Sequence, residues 1–276
     1  MTIAVTRHVF LCVFWRTIIS TLIETSIAVA YRFADHTSSH DGHGEMTLLA
    51  DQLPPTSLDA RQKRHWNRTE EILSHCWEPL AGFVTVAATN DTSTTNVVDH
   101  ALRCYGEVTI LGTRQLAYAM NIMEQDQVIF YDLGAGVGRL TTQMYLDQPH
   151  RIQKAVGIEL SPDRHAIAMD AWHCMTNSAE DAGSSLPIQF IHGDILTEDW
   201  HDATHVFLSS LCFPDSVLES LQHAILTSMP SLRVVASLNR LNLLYKHDHW
   251  SETEVPIQMS WGPGSAKIYH HVMIMT

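Results

Sequence analysis

The sequence VIFYDLGAGVGRL, from Val128 to Leu140, joins a short apolar run to a glycine-rich turn. Gly134, Gly136 and Gly138 are spaced two residues apart, and a helical pattern begins directly after them. Glycine lets the backbone adopt left-handed conformations and approach a ligand that a Cβ atom would keep away. The stretch therefore predicts a buried strand, a ligand-binding turn and the start of a helix, in that order.

The same order of strand, loop and helix recurs along the second half of the chain. Nearly continuous apolar runs occur at Val128–Tyr131, Ala155–Ile158, Ile188–Ile191, His205–Leu208 and Val234–Leu238. Such runs, mostly followed by helical stretches, are typical of a parallel sheet covered on both faces. Residues 255–275 indicate two further strands joined at Gly-Pro-Gly-Ser, residues 262–265. We predict an α/β fold with a C-terminal β-hairpin and an N-terminal helical extension. This outline resembles the seven-stranded, Rossmann-like sheet of a class I methyltransferase.

Three parts are predicted along the chain. Residues 1–56 hold an apolar segment and a linker, residues 57–124 a helical cap, and residues 125–276 the methyltransferase domain. Arg16 and Glu24 interrupt the apolar segment, and each charge would cost about 2.5–3.5 kcal/mol at the centre of an inserted helix. The alternatives for residues 1–30 are a secretory signal, an organellar or membrane-associating segment, and an extension without a targeting role.

Composition narrows the class of protein. Lys and Arg number 17 against 30 Asp and Glu, for a net charge of -13, which excludes a surface that is basic throughout and binds nucleic acid. The basic cluster in residues 61–68 is either a solvated helix face or a local contact with DNA, so direct DNA contact stays open. The five cysteines are scattered without a CxxC pair, which favours reduced thiols in the core. Histidines in residues 36–43 and 247–249 have no second, tightly spaced ligand set, and we predict no metal.

Three acidic residues follow three successive strands. Asp132 lies just ahead of the glycines, where a carboxylate suits a ligand with an ammonium group, such as the methionine part of S-adenosylmethionine. Glu159 is placed to accept hydrogen bonds from ribose hydroxyls, and Asp194 from an adenine amino group, with Ile195 packing on the ring. A dinucleotide-binding turn would carry its third glycine one place later, where Arg139 stands. Each acid also has an ordinary alternative as a helix cap or a loop residue.

The segment YGEVTILG, beginning at Tyr105, precedes the glycine turn DLGAGVG. With this combination the chain resembles, over roughly Val97 to Leu238, the disruptor-of-telomeric-silencing family of non-SET enzymes that methylate a lysine on the core of histone H3. The resemblance implies that Tyr105, Gly106 and Glu107 cover S-adenosylmethionine beside the glycine turn. It also implies a protein substrate, histone H3 in nucleosomes, and a location in the nucleus.

One segment and one further residue depart from the family pattern. Ser-Ser-Leu-Cys-Phe, residues 209–213, stands where the family has Asn-Asn-Phe, and Arg139 stands where it has glutamine. The resemblance implies that Tyr105, Ser209 and Phe213 act where the lysine amine meets the methyl group. Trp250 or Trp261, after the last helix, is a further candidate for lining that channel, and the alternative for these aromatic residues is packing in the core. The departures leave two alternatives open: a methyltransferase acting on a non-histone protein or a small molecule, and a non-catalytic protein that binds S-adenosylmethionine.

Overall fold

The computed structural model describes residues 60–78, 106–178 and 186–272. The helices are α1 (Ala60–Trp77), α2 (Ile110–Ala119), α3 (Arg139–Asp147), α4 (Pro162–Ser178), α5 (Asp215–Ser228) and the single turn α6 (Asn242–Tyr245). The strands are β1 (Val128–Leu133), β2 (Ile152–Glu159), β3 (Ile188–His192), β4 (His205–Leu208), β5 (Val234–Ser237), β6 (Trp250–Met259) and β7 (Gly262–His271). The predictions for residues 1–56 and for Tyr105 lie outside the described residues. None of the described helices is both long and apolar enough to cross a membrane.

The seven strands form one sheet in the order β3-β2-β1-β4-β5-β7-β6. Strands β1 to β5 run parallel, β7 is antiparallel to β5, and β6 pairs with β7 as a hairpin. The chain changes direction across the sheet between β1 and β4, which makes their carboxyl ends the expected place for a ligand. The α/β fold and the C-terminal hairpin are confirmed.

The sheet is buried on both faces because successive side chains of a strand point to opposite sides. Phe130 of β1 packs into one apolar cluster together with Leu116 and Met144. The next residue, Tyr131, belongs to the cluster on the other face, with Val206. Each such side chain contributes roughly 1.5–3 kcal/mol when it is fully buried. This two-sided burial explains why the strands appear in the sequence as continuous apolar runs.

The hairpin turn lies earlier than the sequence predicted. Met259 pairs with Gly262, so Ser260 and Trp261 form the two-residue turn. Residues 262–265, predicted as the turn, instead begin β7. Gly262 has φ 129°, a value that side chains rarely allow, and it lets the strand start directly after the turn. As a result Trp261 stands at the tip of the hairpin with 54% of its surface exposed.

Helix α1 packs against helices α3 and α4, and its Leu73, Cys76 and Trp77 are buried in the apolar core. The indole nitrogen of Trp77 donates to the carbonyl of Val137 at 2.8 Å, which ties the helix to the glycine turn. Cys76 forms a disulfide with Cys174 of α4. The expectation of reduced thiols is therefore wrong for this pair, whose members lie 98 residues apart in sequence and come together only in the folded chain.

Candidate functional site

The glycine turn between β1 and α3 is built from left-handed backbone conformations. Gly134, Gly136 and Gly138 have φ values of 87°, 57° and 76°. A Cβ atom on Gly134 would lie 2.9 Å from the ring of Phe213, and one on Gly138 would lie 2.4 Å from the ring of Phe190. Both the backbone angles and the close packing therefore require glycine at these two positions.

Glu159, at the end of β2, braces the glycine turn. Its Oε2 accepts from the backbone nitrogen of Gly136 at 2.8 Å, and its Oε1 accepts from that of Ser161 at 2.9 Å. Arg164 lies 3.9 Å from Oε1. The carboxylate is only 6% exposed, yet it lines the cavity described below. One side chain thus positions both the turn and the start of α4, which begins at Pro162, a residue well suited to the first position of a helix.

Asp132 lies beneath the turn and is almost completely buried. The hydroxyl of Thr141 donates to its Oδ2 at 2.8 Å. Burial raises the pKa of Asp132 to about 7, with the charge of Glu159 acting in the same direction and the Thr141 hydrogen bond opposing the shift. This carboxyl is therefore close to half protonated at neutral pH, and a cation bound nearby would favour its charged form.

Asp194 forms the turn after β3. Its Oδ1 accepts from the backbone nitrogen of Leu196 at 2.9 Å, and its carbonyl accepts from Thr197 and Glu198. Asp194 thus has the ordinary structural role that the sequence left open. It also lines the cavity together with Ile195.

Gly106 and Glu107 belong to a loop that the hairpin tip holds in place. The backbone nitrogen of Glu107 donates to Ser260 Oγ at 3.1 Å, and its carbonyl accepts from the Ser260 nitrogen at 2.7 Å. A Cβ atom on Gly106 would lie 1.9 Å from the ring of Trp261. The Glu107 carboxylate lies 2.7 Å from Nη2 of Arg139, which also donates to the Val108 carbonyl at 3.1 Å.

One cavity of about 620 Å³ opens at this edge of the sheet. It is lined by these residues predicted from the sequence: Gly106, Glu107, Asp132, Gly134, Gly136, Glu159, Asp194, Ile195, Ser209 and Phe213. Gly138 does not line it and serves instead as the N-cap of α3. Arg139 and Trp261 also line the cavity. Trp250, the first residue of β6, is instead buried in the apolar cluster that contains Tyr131 and Val206. The sequence had marked Arg139 as a departure from the family pattern without giving it a role.

The segment of residues 209–213 forms the opposite wall, at the end of β4. Ser210 is fully buried: its hydroxyl contacts Ser237 Oγ at 2.8 Å and accepts from the backbone nitrogen of Asn239 at 2.8 Å. The amide of Asn239 donates to the Ser210 carbonyl at 2.8 Å. Ser210 therefore fixes the turn, while its neighbours Ser209 and Phe213 face the cavity.

Among the residues that the structure describes, one group offers three metal-ligand atoms within 4.8 Å of one another: His75, Cys76 and Cys174. Both sulfur atoms are joined in the disulfide, which removes the thiolates that a metal would need. The histidines in residues 36–43 lie outside the described part of the chain.

The glycine turn, the loop that precedes it and strands β1 to β5 all fall within one family match. Residues 93–258, more than half of the chain, match the model of the family described as histone methylation protein DOT1. The chain belongs to this family. It is accordingly a class I methyltransferase that uses S-adenosylmethionine. The match continues beyond Leu238, where the sequence resemblance ended, and includes most of β6.

Solved structures similar to this DOT1-family chain include three methyltransferases. A putative RNA methyltransferase from Pyrococcus horikoshii is 13% identical, with 79% of this chain and 100% of that chain covered and a TM-score of 0.43. An RNA methyltransferase from Salinibacter ruber, in complex with S-adenosyl-L-homocysteine, is 21% identical, with 57% and 90% covered and a TM-score of 0.37. A putative tRNA (m1A22) methyltransferase from Streptococcus pneumoniae is 12% identical, with 59% and 72% covered and a TM-score of 0.42. No curated protein sequence matches the chain significantly.

Proposed function

We propose that this DOT1-family chain transfers a methyl group from S-adenosylmethionine to the ε-amine of a protein lysine, with histone H3 in nucleosomes as the acceptor. One observation supports the proposal most directly: an aromatic side chain of the cavity wall contacts the glycine turn. The ring of Phe213 packs so closely on Gly134 that a Cβ atom there would lie 2.9 Å from it. An amine that enters along Phe213 thus arrives beside the turn on which the cofactor's methionine end is expected.

The residues around the cavity fit the cofactor. Glu159 retains lone pairs for ribose hydroxyls beyond its two backbone partners. Asp194 and Ile195 stand at the far end, where the adenine is expected. Asp132 and Glu107 supply negative charge at the methionine end. The bound cofactor would supply a methyl group on a positively charged sulfur, and an uncharged amine in line with that bond would take the methyl group and displace the sulfur.

The mouth of the cavity favours a long alkyl amine. Leu211 and Trp261 are half-exposed at its rim, and Phe213 lies deeper. Apolar walls disfavour an ammonium ion, so they lower the pKa of a lysine that enters and make its neutral form available. Holding that amine in line with the methyl group can supply roughly 7–11 kcal/mol of the barrier. The apolar side chains at the rim also suit the methylene chain of lysine better than a small polar acceptor.

Family membership supports the nucleosome as the substrate. The positive charge on the surface of α1 supports it further. Helix α1 carries Arg61, Lys63, Arg64 and Arg68 on its surface, and all four are exposed. They lie in a chain with a net charge of -13, so any contact with DNA phosphates would be local to this helix. The proposed location is the nucleus, with an organellar or membrane-associated location through residues 1–30 as the alternative. Imaging the full chain beside one that starts at Asp51 tests the location.

A second candidate has a specific observation in its favour. Serines at positions 209 and 210 replace the family's two asparagines, and the Ser210 hydroxyl is occupied by Ser237 and Asn239. The lysine side of the site therefore lacks the long amides of the family pattern. A methyltransferase with a different protein acceptor, or a small-molecule acceptor, fits this change.

Labelled cofactor decides between these candidates. The full chain is incubated with labelled S-adenosylmethionine and, in separate reactions, with nucleosomes, free histones and a nuclear lysate. Label on histone H3 in nucleosomes supports the proposal, whereas label confined to another acceptor supports the second candidate. Gly136→Arg is the control, because it fills the cofactor turn and should abolish all transfer. If the chain binds the cofactor in calorimetry and labels nothing, the non-catalytic alternative is supported.

A further inference from the structure

The disulfide between α1 and α4 has a histidine beside it. His75 precedes Cys76 in the last turn of α1, and one ring nitrogen of His75 lies within 4.8 Å of the sulfur atoms of Cys76 and Cys174. The ligand atoms of a tetrahedral zinc ion are about 3.5–3.8 Å apart, since its bonds measure about 2.3 Å to sulfur and about 2.0–2.1 Å to nitrogen. We propose that reduction of this disulfide turns His75, Cys76 and Cys174 into a binding site for Zn²⁺.

The three side chains offer the ligand types that zinc prefers. Two thiolates and an imidazole bind Zn²⁺ well, and the two negative charges of the thiolates balance the charge of the ion. The same atoms are poor ligands for Mg²⁺ and Ca²⁺, which prefer oxygen. Water can take the fourth position of the tetrahedron. His75 and Cys76 also lie at the carbonyl end of α1, where the helix dipole favours a cation.

The packing of α1 on α4 keeps the two cysteines together after the S–S bond is broken. Leu73 and Trp77 of α1 are buried in the same apolar cluster as Ala171 and Met175 of α4. Small side-chain rotations then bring the three ligand atoms to the spacing of a zinc site. Because the fold has already placed the ligands, binding the ion costs little conformational entropy.

The ligand group is buried on one side and open on the other. Cys76 is only 3% exposed, whereas Cys174 is half-buried and His75 is exposed. A reductant and the ion can therefore approach from the side of His75. None of the three residues lines the cavity at the glycine turn, so the ion joins α1 to α4 and does not act on the methyl acceptor.

The conversion takes two steps. A dithiol gives two electrons and two protons to the S–S bond, which becomes two thiols, while the dithiol closes to a cyclic disulfide. Zn²⁺ then binds, and both thiols release their protons to the solvent. An oxidant that removes two electrons from the thiolates forms the disulfide again and expels the ion. Because the nucleus keeps thiols reduced, the metal-bound form is the one that joins the two helices there.

Titration with Co²⁺ tests the site, because cobalt bound to thiolates absorbs in the near ultraviolet and tetrahedral cobalt absorbs in the visible range. The full chain is reduced with dithiothreitol, separated from the reductant by gel filtration without oxygen, and titrated. We expect both absorptions to saturate at one equivalent and to disappear when Zn²⁺ displaces the cobalt. The oxidised protein should show neither absorption. Addition of oxidised glutathione to the cobalt-loaded protein should release the ion as the disulfide forms.

Variants assign the ligands, and competition with a chromophoric zinc chelator measures the affinity. Cys76→Ser/Cys174→Ser should lose the thiolate absorption, and His75→Asn, a change at an exposed position, should weaken Zn²⁺ binding at least tenfold. His173→Asn is the matched control, because His173 is also exposed and adjoins Cys174 but lies outside the ligand group. It should bind Zn²⁺ as the wild-type protein does.

Three results would overturn the proposal. The reduced wild-type protein could fail to bind either ion. The thiolate absorption could persist in the double cysteine variant, which would assign it to other thiols of the chain. Finally, His75→Asn could bind Zn²⁺ as tightly as His173→Asn, which would show that the imidazole of His75 is not a ligand. Methyl transfer is not part of any of these measurements, so their outcome is independent of the proposed function.

Discussion

The hydroxyl of Thr141 donates a hydrogen bond to Oδ2 of Asp132 at 2.8 Å, beneath the glycine turn and out of contact with water. This hydrogen bond favours the charged carboxylate, but burial outweighs it and raises the pKa of Asp132 to about 7. Burial makes the charged form of this carboxyl group unfavourable. A cationic ligand suits such a group, because its positive charge replaces the stabilisation that water would provide. Two measurable consequences concern the free energy of unfolding and the uptake of the cofactor.

The first prediction concerns stability as a function of pH. Asp132 has a folded pKa above its unfolded value of about 4, so its contribution to stability is fully present below pH 4 and is lost as pH rises through about 7. Relative to Asp132→Asn, the wild-type protein should therefore lose stability between about pH 4 and pH 7, by at most about 4 kcal/mol for the full shift. Urea unfolding at several pH values measures the difference, and parallel curves for the two proteins would contradict it.

The second prediction is proton release on cofactor binding. Below about pH 7 the Asp132 carboxyl is largely protonated, and the positive charge of S-adenosylmethionine should lower its pKa. Calorimetry at pH 6 in buffers of different ionisation enthalpy should show a release approaching one proton. The release should disappear in Asp132→Asn, where nothing titrates at this position. A release that persists in the variant would assign the proton to another group.

The third prediction tests the contact between the hairpin tip and the loop that precedes α2. Gly106→Ala should displace the loop, because the new Cβ would overlap the ring of Trp261, and should weaken cofactor binding at least tenfold. Trp261→Ala removes the obstacle, so the double variant should recover most of the lost affinity. Residues in contact show such non-additive effects, which a double-mutant cycle measures. Additive losses in calorimetry would mean that Gly106 is required for another reason.

Local sequence patterns predicted the strands, the glycine turn and the acidic residues that follow the strands. These features depend on burial and backbone conformation within short segments, and Gly134 and Glu159 lie where the patterns indicated. The placement of the two tryptophan side chains could not be predicted from local patterns. Trp250 and Trp261 are both candidates for the channel wall, but Trp250 begins β6 and is buried, whereas Trp261 lies in the hairpin turn and reaches the cavity.

Contacts between distant residues could not be predicted from pattern. Arg139 and Glu107 meet because the hairpin tip holds the loop against the glycine turn, and Cys76 meets Cys174 because α1 packs on α4. The departure at Arg139 was the one signal in the sequence that pointed to such a contact. A charge that replaces an uncharged residue in a binding motif is a reason to look for a new partner.

The fourth prediction concerns the disulfide between α1 and α4. Cys76 and Cys174 close a loop with a sequence separation of 98 residues, and cross-links of this length typically stabilise the folded state by about 2–4 kcal/mol. Thermal unfolding should shift to lower temperature when dithiothreitol is added to the wild-type protein. The double variant Cys76→Ser/Cys174→Ser should unfold at the lower temperature and should not respond to the reductant. Because nuclear thiols are kept reduced, this stabilisation applies in an oxidising compartment, and a wild-type protein indifferent to reductant would fit a nuclear role better.

The fifth prediction separates acceptor binding from cofactor binding at the aromatic wall. Phe213→Ala should lower kcat/KM for a protein acceptor about ten- to a hundredfold, because it removes an apolar surface that favours the neutral amine and holds it in line with the methyl group. Phe213→Leu keeps most of the apolar volume and should lose less than tenfold. The dissociation constant for S-adenosyl-L-homocysteine, measured by calorimetry, should change less than threefold in both variants, because the hydrogen-bonding groups expected to hold the cofactor belong to other residues, such as Glu159 and Asp194. Similar losses in cofactor affinity and kcat/KM would instead assign Phe213 to the support of the glycine turn at Gly134.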